Sequence, residues 1–157
     1  MLNSLVVIPS IDTDKDWRKK GIVQIDGKSL ISIAIRNALA LSKYVVVVSD
    51  NSAVLREAEK TGVLGMRVKR GWYKGAMTDG RLYIDVLAWW GRRNSGVLLD
   101  ILAVVNWEVP TMPVADLQEL LRLDAHDASS ACIVFEERGK FWRSSEGFSK
   151  LIQDWDW

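Results

Sequence analysis

Short apolar runs alternate along the chain with longer stretches whose apolar residues recur every three or four positions. Residues 5–9 (LVVIP) are apolar and β-branched and close on Pro9, the pattern of a strand buried on both faces. A polar, charged loop follows over 10–21, then a short extended piece over 22–25 before a turn at Asp26-Gly27. From 29 to 41, Leu30, Ile31, Ala34, Ile35, Ala38 and Leu39 repeat at helical spacing. Residues 44–48 (YVVVV) give a second buried strand, ending at Ser49-Asp50. The spacing predicts a helix over 52–61, capped by Asp50 or Ser52 and ended by Gly62. A weaker strand is predicted over 66–69. Thr78 is expected to cap a helix through Leu82, Val86, Leu87 and Trp90 that stops near Gly91. Residues 100–105 (DILAVV) read as the next buried strand, and Pro113 as the opening of a helix through Leu117, Leu120, Leu121 and Leu123. Residues 131–135 complete the series of buried strands. Phe141-Trp142 begins an edge strand, and Gly147 marks a turn before 148–152.

This alternation of strand and helix predicts an α/β chain, a mostly parallel sheet with helices on both faces in three α/β/α layers. Ligands of such sheets sit outside the carboxyl ends of the strands. The loops to inspect are therefore 10–21, 49–52, 69–79 and 106–113. No repeat, linker or low-complexity tract divides the chain, so residues 1–157 are expected to form one domain.

Composition narrows the partners. With 48% hydrophobic and 26% charged residues, the chain is of ordinary globular type. A formal net charge of +1 gives no general attraction to nucleic acid or to a membrane surface, so neither is an expected partner. Cys132 is the only cysteine, which excludes an intrachain disulfide or a thiolate zinc cluster. The opening MLNSLVVIPS has neither a basic leader nor a span of membrane length, so a cytoplasmic setting is expected. Eight tryptophans are unusual for this length. Packing explains most of them, and a base-stacking or partner-binding surface fits best at Trp17, Trp107, Trp155 and Trp157.

Several motifs in series carry a resemblance. Ile8-Pro9-Ser10 through Gly27-Lys28-Ser29-Leu30-Ile31 fits, without a gap, the frame I-P-A-R-G-G-S-K-G-x-x-x-K-N followed by G-K-P-L-I. Ser49-Asp50-Asn51 is similar to S-T-D-D. Thr78-Asp79 and Ile84-Asp85-Val86-Leu87 are similar to T-D-T-A and the helix I-D-V-V-L. Val105-Asn106-Trp107-Glu108-Val109-Pro110 falls where the pattern has L-Q-P-T-S-P, Asp116 where the next helix has D-I, and 128–136 resembles D-S-V-V-S-V-x-E. In this order the motifs resemble those of the CMP-sugar synthetases, the acylneuraminate and KDO cytidylyltransferases.

The resemblance implies a Rossmann-like fold of nucleotide-diphospho-sugar transferase type, a nucleoside triphosphate partner (CTP first), a sugar-acid acceptor and Mg²⁺ accompanying the nucleotide. Carried over by position, Pro9, Ser10, Lys15, Lys20, Arg70 and Asn106 are the implied nucleotide-binding residues. Lys20 falls on the family's lysine and takes the catalytic phosphate contact. Asn106 replaces a base-recognising glutamine on a shorter stem, and Arg70 matches an arginine ahead of the T-D motif. Departures gather at the chemistry. Ile11, Asp12 and Thr13 stand where the family has an arginine and paired glycines, and Gly21 replaces an asparagine. Asp12, Asp14 and Asp16 put carboxylates into a loop whose backbone N–H groups should meet phosphates. The family also continues into a segment that completes the sugar site, supplies metal-binding aspartates and builds a dimer; Asp154 and Asp156 match none of those aspartates.

Other candidates carry less. Asp12-Thr13-Asp14-Lys15-Asp16 opens like a calcium loop, but Trp17 and Val23 occupy the positions that need glycine and glutamate. No protein-held metal site is expected. His126 has no nucleophile motif beside it and reads as a turn residue. Cys132 reads as inert core. Arg67, Lys69, Arg70 and Lys74 form either a phosphate-facing patch or a solvated strand edge. Two functions stay open: a divergent nucleotidyltransferase, and a non-catalytic relative that serves as a binding or interaction module. A homodimer or a protein partner is compatible with either.

Overall fold

The computed structural model describes residues 3–11, 23–73, 79–107, 113–122, 141–145 and 148–152. Its centre is strand β1 (Ser4–Ser10), every residue of which is buried. It lies parallel between β4 (Tyr44–Ser49) and β6 (Ile101–Val104), and β5 (Leu64–Arg67) pairs parallel with β4 on the far side. The sheet order is β5-β4-β1-β6. Between β1 and β4 the chain forms a small antiparallel pair, β2 (Gln24–Ile25) and β3 (Lys28–Ser29). Its two turn residues, Asp26 and Gly27, have φ of 49° and 73°. That left-handed pair is what a tight hairpin requires, and an Asp-Gly sequence supplies it at low cost.

Side-chain alternation along the strands divides the core. Val6, Ile8, Val45 and Val47 face helices α1 (Leu30–Leu41) and α2 (Ser52–Lys60), packing on Ile31, Ala34, Ile35, Ala38, Val54 and Ala58. Leu5, Val7, Val46 and Val48 point the other way, toward Leu82, Val86 and Trp90 of α3 (Gly80–Gly91). Tyr44 meets Trp90 edge to face, ring centroids 5.4 Å apart. Helix α4 (Val114–Arg122) lies against α1, with Gln118 Nε2 donating to the Ala40 carbonyl at 3.4 Å. The three-layer α/β/α arrangement is therefore as the alternation predicts.

Local boundaries differ in instructive ways. Proline does not end the first strand: Pro9 and Ser10 stay in register with Val48 and Ser49 of β4. Neither Asp50 nor Ser52 caps α2. Asn51 does, its side chain accepting from Ala53 N at 2.9 Å, because the Ser49 hydroxyl already holds the Asn51 N–H at 3.0 Å. Asp79 caps α3, accepting from Arg81 N at 3.2 Å and pairing with the Arg81 guanidinium at 2.8 Å, in place of the Thr78 cap expected. The third strand starts earlier than predicted, since Gly62 (φ 73°) turns the chain and Val63 N returns to the Ala58 carbonyl. Pro113 precedes α4, its carbonyl accepting from Leu117 N.

Strand β7 (Phe141–Ser145) pairs antiparallel with β8 (Phe148–Ile152) in a sheet of its own. The edge strand expected at Phe141-Trp142 thus belongs to a hairpin and not to the parallel sheet. The strand expected over 131–135 lies outside the described residues.

Candidate functional site

The sheet reverses direction of growth once. From β1 the chain steps outward to β4 and β5, then returns to the opposite side of β1 as β6. A crevice opens at such a reversal, outside the carboxyl ends of the two strands that part there. Here those strands are β1 and β6, and they part early. The β1–β6 register ends at Val7↔Val104, followed by a last bond from Val105 N to the Val7 carbonyl at 2.9 Å. Toward β4, the β1 register runs on to Ser10↔Ser49.

Pro9 explains the difference. Backbone groups alternate along a strand, so the residue two beyond Val7 also faces β6. That residue is a proline, with no N–H to donate, and the ladder stops. Beyond this point Ser10 is buried, and its carbonyl accepts the Ser49 hydroxyl at 2.6 Å. On the β6 side the chain continues as Val105, Asn106 and Trp107. Val105 and Trp107 are buried against the α1 face, and Asn106 between them is half-buried.

A second part of the same edge follows β5. Val68 N bonds to the Ser49 carbonyl at 3.1 Å, extending the β4–β5 contact, and a turn then forms with Trp72 N donating to the Lys69 carbonyl at 3.2 Å. Tyr73 is buried, and its hydroxyl donates to Asp85 Oδ2 at 2.7 Å, fastening this loop to α3. Burial, that hydrogen bond and the nearby carboxylate charges of Asp85 and Asp79 push the phenol up to about 12. Burial also raises Tyr83, and the Asp79 partner raises Arg81.

No protein-family model and no curated protein matches this sequence. Solved structures do. CMP:2-keto-3-deoxy-manno-octonic acid synthetase, complexed with CTP, aligns with a TM-score of 0.63 at 19% identity over 82% of this chain and 49% of its own. 4-Diphosphocytidyl-2C-methyl-D-erythritol synthase aligns with a TM-score of 0.68 at 14% identity over 98% of this chain and 69% of its own. A cytidylyltransferase from Leptospira borgpetersenii aligns with a TM-score of 0.57 at 15% identity, covering 81% of this chain and 50% of that one. The chain shares the α/β fold of these structures. It spans about half the length of the first and third of these structures.

Pro9 and Ser10, at the carboxyl end of β1, and Asn106, just beyond the carboxyl end of β6, lie on the same edge of the sheet. Arg70 is exposed and follows β5. It shares the edge, but β5 stands two strands, roughly 10 Å, from β1 and three, roughly 14 Å, from β6. Arg67 and Lys69 are exposed beside it. Lys15 and Lys20 lie outside the described residues, as do Asp12, Asp14, Asp16, Lys74, His126 and Cys132.

Trp107 corrects an expectation. Its loop-like context suggested a surface for stacking, whereas the residue is 7% exposed and belongs to the buried cluster that includes Val6, Ile8 and Ile31. Trp72 is the exposed indole of the edge, at 63%. Trp17, Trp155 and Trp157 lie outside the described residues. Two features of the edge escaped sequence reasoning: the Ser49 bond to Ser10, and the Tyr73–Asp85 tie. The first had a faint signal, a serine directly after each of the runs 5–9 and 44–48; the second had none, because its partners meet only through tertiary packing.

Among the described residues, no three His, Cys, Asp or Glu side chains gather where they could hold one metal ion. Among the same residues, no helix is long and apolar enough to cross a membrane.

Proposed function

We propose that the chain binds a nucleoside triphosphate, CTP in first place, in the crevice between the carboxyl ends of β1 and β6. The observation that carries this reading is the early parting of those strands at Pro9, which leaves Ser10 and Asn106 flanking the point where the sheet reverses. The cytidylyltransferase fold supports it, and one structure of that fold is a complex with CTP. In this reading Asn106 reads the base through its amide. Pro9 and Ser10 form the floor, Lys15 and Lys20 neutralise phosphate charge, and Arg70 approaches from the β5 side. Mg²⁺ enters the proposal as a companion of the nucleotide phosphates.

The reaction that follows is nucleotidyl transfer. An acceptor oxygen of a sugar acid bonds to the α-phosphorus of CTP, and the bond to pyrophosphate breaks. Such chemistry asks chiefly for positioning and for compensation of phosphate charge. The carboxylates of Asp12, Asp14 and Asp16 oppose that compensation and favour a second reading, in which the crevice holds a nucleotide without turning it over.

Thermal unfolding with CTP, CDP and UTP, each with and without Mg²⁺, tests binding, since a ligand specific for the folded state raises the midpoint by mass action. CTP is expected to give the largest rise, and Lys20→Ala to abolish it. No rise with any nucleotide would refute the proposal. Pyrophosphate release on adding sugar acids separates the transferase from the non-catalytic relative.

A further inference from the structure

Two serines bracket strand β4, and they make the same pair of hydrogen bonds. At the amino end, Ser42 Oγ donates to the Ser4 carbonyl at 2.6 Å and accepts from Tyr44 N at 3.0 Å. At the carboxyl end, Ser49 Oγ donates to the Ser10 carbonyl at 2.6 Å and accepts from Asn51 N at 3.0 Å. Each hydroxyl thus fastens one end of β1 to β4 and holds the amide two residues further on. Only the second lies at the ligand edge. Ser49 is fully buried, so neither bond is shared with water.

The Ser49 bond has a consequence across the sheet. Ser10 and Ile11 share one planar, trans peptide unit, in which the carbonyl and the N–H point in opposite directions. With the Ser10 carbonyl held toward β4, the Ile11 N–H is aimed at the β6 side, into the crevice that Pro9 opens. We infer that Ser49 is a positioning residue for the nucleotide site. Its hydroxyl orients the Ser10–Ile11 peptide so that the Ile11 N–H donates to an acceptor oxygen of the bound nucleotide. The same hydroxyl fixes the direction in which the chain leaves β1 at Ile11. This inference rests on the nucleotide reading above. The geometry of the peptide itself does not.

Ser42 provides an internal control, since its removal breaks an equivalent pair of bonds at the far end of the same strand. Ser49→Ala and Ser42→Ala are expected to lower the unfolding midpoint to a similar degree. Titration with CTP and Mg²⁺ should then show at least a tenfold loss of affinity for Ser49→Ala and less than a twofold change for Ser42→Ala. Without nucleotide, the ¹⁵N–¹H signal of Ile11 should move in Ser49→Ala and stay in place in Ser42→Ala. Ser49→Cys, which keeps a weaker donor and acceptor of similar size, should fall between wild type and alanine, and it serves if the alanine variant does not fold. Equal affinities in the two serine variants, or an Ile11 signal indifferent to Ser49, would overturn the inference. If wild type bound no nucleotide, the functional reading would fail, while the Ile11 comparison would still decide what Ser49 does.

Discussion

Tyr73 shows how much of this edge depends on single polar groups placed at the margin of the core. It belongs to the same buried cluster as Met66, Val68 and Leu82, and its hydroxyl reaches Asp85 on α3. Replacing it with phenylalanine keeps the packing and deletes one hydrogen bond, an expected loss of about 1 kcal/mol at neutral pH. The pH dependence follows from the direction of the shift. Folding raises this phenol from 10.0 to about 12, so the folded state holds its proton more tightly than the unfolded state does. Its contribution is complete below pH 10 and is lost as pH climbs from about 10 to about 12. Urea unfolding should therefore find wild type more stable than Tyr73→Phe at pH 8, with the difference shrinking above pH 10 and changing sign as the pH nears 12. A wild-type advantage that grew with pH would contradict the assignment. Little of this was legible in the sequence, because Tyr73 and Asp85 belong to different elements and no local spacing links them. Asn51 makes the same point at closer range. Asp50, Asn51 and Ser52 are all competent caps, and the choice among them is made by the Ser49 hydroxyl, which binds the Asn51 amide.

The elements themselves were legible where the chain is β-branched and short-run or amphipathic and long. The runs 5–9 and 44–48 became β1 and β4, and Ile31, Ala34, Ile35 and Ala38 became the buried face of α1. Burial then separates residues of one type. Ile35 is fully covered in α1, whereas Ile84 on α3 is 67% exposed. Ile35→Ala should cost about 2–5 kcal/mol through lost transfer energy and the cavity left behind. Ile84→Ala should stay within about 0.5 kcal/mol. Chemical denaturation of both variants checks the pair, and a comparable loss at Ile84 would mean that its face is covered. The misreadings at this scale come from pairing, which local pattern does not encode. Pro9 reads as a stop, yet the strand continues because its missing N–H faces β6, not β4. Trp107 reads as a loop residue because polar neighbours flank it in sequence, while it belongs to the buried cluster on the α1 side of the sheet.

At the scale of the molecule, the order β5-β4-β1-β6 decides where a ligand can sit, and it does so independently of which side chains line the place. The edge was foreseeable from the alternation of elements. That Pro9, Ser10 and Asn106 share the edge at neighbouring strands, and that Arg70 stands two strands from β1, required the strand order itself. The central claim is that a nucleotide occupies the parting of β1 and β6. Amide chemical-shift mapping on addition of CTP and Mg²⁺ tests it most directly. Signals of Ile11, Val105, Asn106 and the Trp107 indole should move together and saturably, while those of Ser4, Ser42 and Asp100 at the opposite end of the sheet stay fixed. Shifts confined to that opposite end, or to the outer face of α3, would contradict the account.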